Sequence, residues 1–162
     1  MIPKLLCLAL VLLEVVATAQ SPEHSSEMGD PALLRNLTDI KWEKALPDLG
    51  ENSPEISILH VNPETHSTQL LIRLPKNFHV PKHWHSANET HTIISGSCIF
   101  QCGGKKNELG VGGFNYMPAK MLHEAWSTDA GCLLFITVDG AWDVNWVDGP
   151  PTPEQVKEPA PK

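Results

Sequence analysis

Between Ile56 and Val147 the chain repeats one rhythm, a short run of β-type residues followed by a turn signal. The runs are Ile56–Val61, Thr68–Leu74, Phe78–His85, His91–Ile94, Cys98–Cys102, Phe114–Met117, Leu122–Trp126, Leu133–Val138 and Trp142–Val147. Asp39–Leu46, where Ile40 and Trp42 alternate with charged partners, predicts a further strand ahead of them. Gly96 and the pair Gly103-Gly104 read as turns between runs. Runs spaced by about ten residues with turn residues between them indicate an all-β sandwich or barrel. No segment carries a 3.6-residue period, so no amphipathic helix is expected. The 11 glycines and 14 prolines suit such a fold.

The ends read differently. Lys4, the apolar run Leu5–Leu13 and Ala17-Thr18-Ala19 have the layout of a secretory signal peptide over residues 1–19. That run is too short to span a membrane. Residues 20–36 are polar and without period, a flexible leader. The β-domain is expected over 37–148, and the Pro-rich segment 149–162 as a disordered tail. The expected location is therefore the periplasm or the exterior. The net charge is -7, with 12 basic against 19 acidic residues. With no basic stripe, this argues against nucleic-acid partners and anionic membrane surfaces. Cys98, Cys102 and Cys132 follow the signal segment. They read either as small buried apolar residues or as one disulfide involving Cys132, and spacing does not decide between these.

Chemistry concentrates at four positions. His83 and His85 stand two apart in a predicted strand, so both point to one face. Glu89 follows after a short Ser-Ala-Asn turn, and His123 comes after the turn signal Met117-Pro118-Ala119-Lys120. Three imidazoles and a carboxylate suit one divalent first-row transition metal ion: Fe, Mn, Zn, Cu or Ni. His79, four before His83 and of the same strand parity, and His91, two after Glu89, read as exposed or supporting histidines. Trp84 and Trp126 read as packing residues. Phe100, Phe114, Tyr116 and Met117 are candidates to line a ligand cavity. The string His123-Glu124-Ala125-Trp126-Ser127 lacks the second histidine of a zinc-protease helix motif, which excludes that class.

These residues carry a resemblance to the cupin superfamily, over roughly residues 54 to 148 with a motif core at 77–127. The first cupin motif is met at His83, His85, Glu89 and Gly96, with Asn77 where the family has its leading glycine. The second is met at Gly112, Pro118 and His123, with Lys120 in place of glycine and Ser127 in place of asparagine. The segments HWHSANETHTIISG and GGFNYMPAKMLHEAW are most similar to small single-domain bacterial cupins, the group that includes the cupin part of ChrR-type anti-sigma factors. Asn145 stands where that group commonly has histidine. The resemblance implies a single antiparallel jelly-roll barrel and a homodimer sharing an edge strand. It also implies a small-molecule substrate or ligand. The activity it suggests first is a metal-dependent oxidoreductase of the dioxygenase type, with Glu89 as a ligand that also accepts the substrate's proton. The alternatives are a non-enzymatic zinc- or ligand-binding module, and a metal-assisted isomerase or lyase.

Overall fold

A computed structural model describes residues 32–161. The expected signal peptide and the leader through residue 31 lie outside the described residues. The fold below is that of Arg35–Lys162, one of two units into which the chain divides. Its nine strands are β1 (Glu43–Lys44), β2 (Glu55–Val61), β3 (Thr68–Leu74), β4 (His79–Trp84), β5 (Glu89–Cys102), β6 (Lys105–Leu109), β7 (Phe114–Met117), β8 (His123–Val138) and β9 (Asn145–Trp146). All pair antiparallel. The described residues contain three short 3-10 turns and no α-helix.

Two long strands form the spine. β5 pairs with β8 from Glu89↔Val138 to Cys102↔His123. On the outer edge of β5, β7 and then β6 follow one another. On the outer edge of β8, β3 covers one half and β4 the other. Gly96 is thus not a turn between two strands, as its sequence context suggests. It lies inside β5 at a pair of β-bulges, between Ile93 and Ser95 and between Gly96 and Cys98. A bulge bends a strand and raises its twist. His91 and Cys102 are eleven residues apart, about 36 Å in a straight strand. Yet the His91 ring lies 6.4 Å from that of His123, the ladder partner of Cys102. The β5–β8 ribbon therefore folds over on itself, closing the curled jelly-roll sheet expected of a cupin. Leu70, Ile93, Cys98, Leu134 and Ile136 fill its interior.

The turn positions that depart from the cupin pattern keep its backbone. Asn77 and Lys120 both adopt the left-handed conformation, with φ 51 and 63 degrees, where glycine carries no Cβ penalty. Lys120 N–H donates to the His85 carbonyl at 2.8 Å, so this turn braces a metal-ligand candidate. Ser127 accepts the Phe78 N–H through its hydroxyl at 2.9 Å and donates to the Pro75 carbonyl.

The structure corrects three expectations. The Asp39–Leu46 strand shrinks to β1, because a 3-10 turn at Pro47–Asn52 ends it. The strand over Trp142–Val147 is only β9. The tail read as disordered carries a 3-10 turn at Gln155–Lys157, with Val156 buried in the core. The Gln155 carbonyl bonds His79 at 3.0 Å, so one buried apolar contact and one polar contact hold a Pro-rich segment in place.

Two substitutions test this backbone. A Cβ on Gly96 would sit 2.0 Å from the Gly131 carbonyl oxygen, and Gly96 has φ +73 degrees. Gly96→Ala should cost about 3 kcal/mol or prevent folding. Lys120→Gly, at an exposed left-handed position, should stabilise by about 1 kcal/mol. Urea denaturation reads both. An unchanged Gly96→Ala midpoint would contradict the crossing of β5 over β8.

Candidate metal centre

Each candidate ligand sits at a strand end. His83 is in β4, in register with His123 at the start of β8. Glu89 opens β5, and His85 follows β4. All four are buried. Parity along β4 is broken by a bulge between Val80 and His83. Val80 therefore faces the interior together with His83 and His85, and all three line one cavity. His79, expected to share the face of His83, points the other way.

Backbone carbonyls orient the three imidazoles. His83 Nδ1 meets the Pro81 carbonyl at 2.7 Å, and His123 Nδ1 meets that of Met121 at 3.0 Å. His85 Nδ1 meets the carbonyl of Asp143. A carbonyl only accepts, so each Nδ1 carries the hydrogen and each neutral ring keeps its Nε2 lone pair for a ligand. One nitrogen from each of the three rings falls within a 4.8 Å span. His85 Nε2 lies 3.0 Å from Glu89 Oε2. Both atoms are buried without a hydrogen-bond partner, as is His123 Nε2. Two acceptors at that distance repel unless a proton or a metal cation sits between them. Donors about 2.1 Å from one ion at right angles are roughly 3.0 Å apart, so the spacing fits adjacent positions on a first-row metal.

The electrostatics favour the same reading at two of the three rings. Burial, with His123 and His85 beside it, lowers His83 from 6.5 to about 3. Burial likewise lowers His123 to about 4. Both rings are neutral near pH 7, the form a metal needs. Burial alone would raise the Glu89 carboxyl, but His91, His85 and His123 outweigh it and bring it to about 2. His85 differs: burial works against its charge, yet the Glu89 carboxylate beside its Nε2 raises it above 6.5, the direction of a proton between the two atoms when no metal is there.

Around this cluster the sequence reading holds in part. His91 faces the same cavity, with Nε2 3.2 Å from Glu89 Oε2 and Nδ1 2.8 Å from Asn115 Oδ1. Phe100 lines the cavity. Phe114 and Tyr116 are exposed instead, and Met117 is in the core. Trp126 points away from His123 and stacks on His79 at 4.5 Å. Trp142, Val144 and Trp146 also line the cavity, a role sequence reasoning missed although their two-residue spacing put all three on one face. The three thiols are free. Its hydrogen bond to Cys132, and burial, push the Cys98 thiol up.

The cavity measures about 290 Å³, and His83, His85, Glu89 and His123 all open onto it. Among solved structures, the polyketide cyclase RemF from Streptomyces resistomycificus is similar at a TM-score of 0.61 and 17% identity. That match covers 76% of this chain and 90% of RemF. An RmlC-like cupin from Shewanella frigidimarina matches at 0.56 and 15%, covering 68% of this chain and 93% of that one. The Rhodobacter sphaeroides complex of SigE with the anti-sigma ChrR matches at 0.52 and 19%, covering 65% and 51%. These likenesses show a cupin fold. No curated protein matches the chain in sequence. The family described as Domain of unknown function (DUF4437) matches residues 16–145, so the chain belongs to that family.

Proposed function

We propose that the protein is a metal-dependent oxidoreductase of the dioxygenase type, acting on a small molecule bound in the barrel cavity. The observation that carries this is the unpartnered pair His85 Nε2 and Glu89 Oε2, 3.0 Å apart and open to the cavity. A bound Fe, Mn or Cu ion would supply Lewis acidity and electrons for chemistry with O₂. His83, His85 and His123 would hold it, their rings fixed by the three carbonyls. Glu89 would complete the set and accept a proton from substrate. The apolar wall would keep water from the reacting atoms.

The second reading, a structural zinc module, needs four donors closed around a tetrahedral ion. Here the donors face an open cavity, which supports an exchangeable position. RemF, a polyketide cyclase by name, is a small-molecule enzyme on this fold. Fold likeness by itself does not carry an activity.

Replacing His83, His85 or His123 with Ala should weaken metal affinity by more than about a hundredfold, beyond the loss typical of a supporting residue. Glu89→Gln keeps the size and an oxygen donor, so part of the metal should remain while proton-abstracting activity disappears. Metal analysis of protein purified without a His-tag reads both. Full, tight metal binding by His123→Ala would exclude that ligand.

Acid gives an independent check. His83 and His123 have folded values of about 3 and 4, below 6.5, so the unfolded chain binds more protons between those limits. Their stabilisation is present above pH 6.5 and lost as pH falls. Glu89 adds a loss from 4.5 down to about 2. His85 opposes them, since its raised value gives stabilisation below 6.5 that is lost as pH rises through the folded value. Two buried neutral imidazoles outweigh one, so the metal-free protein should lose stability between pH 6.5 and 4. The metal-loaded form should lose more, because acid also displaces the ion. A urea midpoint that rises over this interval in metal-free protein would contradict the neutral burial of His83 and His123.

A further inference from the structure

The cavity keeps its hydrogen-bonding and ionisable groups almost entirely at one place. Glu89 and the imidazoles of His83, His85, His91 and His123 lie together at the metal cluster. The wall elsewhere is hydrocarbon, aromatic ring or thiol, including Ile72, Leu74, Phe100, Leu134, Ile136 and Trp146, with one buried, unpartnered donor in the Trp142 indole N–H. Among the described residues, no Lys, Arg, Ser, Thr, Asn, Gln or Tyr side chain lines it. A phosphate or second carboxylate buried there would meet no counter-charge, and a set of buried hydroxyls would lose its water for little more than the Trp142 N–H. Apolar surface, in contrast, gains by entering such a wall. The size is bounded too. An apolar cavity of about 150 Å³ holds one benzene. At about 290 Å³ this cavity takes a molecule roughly twice that size.

We propose, resting on the metal reading above, that the site takes a compact, mostly hydrocarbon or aromatic molecule of about ten non-hydrogen atoms. Its polar atoms are one or two oxygen donors gathered at one end, facing His83, His85, Glu89 and His123. Phosphorylated sugars, polyols and dicarboxylates are excluded. This narrows the isomerase or lyase alternative as well, because sugar-like and dicarboxylic keto-acid ligands carry groups this wall cannot satisfy.

Cobalt-loaded full-length protein tests the proposal with three hydroxamates that share one metal-binding head. Benzohydroxamate has an apolar body, acetohydroxamate has almost none, and 4-carboxybenzohydroxamate carries a second anion. The cobalt absorption spectrum reads binding. Benzohydroxamate should bind at least tenfold more tightly than either of the others. Equal affinity of the three, or preference for the carboxylated probe, overturns the proposal. Val144→Lys, at a half-buried cavity position, should reverse the preference in favour of the carboxylated probe, a gain that misfolding cannot produce. If the preference stays as in the parent, the apolar wall around Val144 is not what excludes the anion, and the proposal falls.

Failure of the metal reading looks different. No hydroxamate would then change the cobalt spectrum. Chelator-treated protein would still answer for the cavity, with benzyl alcohol binding and benzyl phosphate not, read by ligand-observed NMR. Binding of the phosphate as well as the alcohol, or of neither, overturns the proposal.

Discussion

The fold depends on a place where two backbones nearly touch. A Cβ at Gly96 in β5 would lie 2.0 Å from the Gly131 carbonyl of β8, and both glycines have positive φ. Only a residue without a side chain allows that approach. The contact lies midway along the β5–β8 ladder, where the register shifts twice, first by an extra residue in β5 and then by extra residues in β8. There the ribbon turns back, and what would be its remote ends meet. Glu89 and His91 belong to one end, and His123 to the other. The candidate metal centre therefore needs barrel closure, which brings His123 to the local group His83, His85 and Glu89. The loss of closure expected for Gly96→Ala would separate the ligands without altering one of them.

Closure alone does not make a metal site. The three imidazoles must also present the right nitrogen, and here the chain uses its own carbonyls. Two come from residues two positions earlier, Pro81 for His83 and Met121 for His123. The third, from Asp143, reaches His85 from the segment that also carries Trp142 and Val144. That segment is anchored by Ser86, whose N–H and hydroxyl both donate to the Asp143 carboxylate. The loop that orients His85 is thus the loop that walls the cavity. Metal and ligand should for this reason be felt together at Trp142 and Val144.

Much of this was legible in the sequence, and the failures share a cause. The meeting of His83, His85 and His123 beside Glu89, the all-β class and most strand positions followed from spacing and period. Spacing assumes unbroken parity, and the errors fall where bulges break it. Gly96 reads as a turn because glycine usually ends a run, but here it bends one. His79 reads as facing the same way as His83 because four residues preserve parity in a regular strand. The bulge after Val80 inverts it. Asn77 and Lys120 show the opposite case. The residue type changed while the left-handed backbone stayed, so a motif read by residue type understates how far the turn geometry is kept.

The same bulge divides β4 and β8 into two polar faces with different roles. Inside, His83 and His123 turn their Nε2 atoms to the cavity. Outside, His79 bonds Glu124 at 3.3 Å, and Gln101 donates to the other Glu124 oxygen at 3.2 Å. Trp126 stacks on the His79 ring, and the Gln155 carbonyl takes its second nitrogen. In this outer network both Glu124 oxygens meet a side-chain nitrogen, although the Trp126 indole N–H is unpartnered; in the inner one His85 Nε2, Glu89 Oε2 and His123 Nε2 are all without a hydrogen-bond partner. Buried polar groups persist when they are fully partnered. The outer set comes closer to that condition with the help of the C-terminal turn, whose Gln155 carbonyl and buried Val156 hold the Pro-rich tail. The inner pair needs a proton or a metal cation between its atoms, and that difference separates the face that holds the tail from the face that carries the candidate metal site.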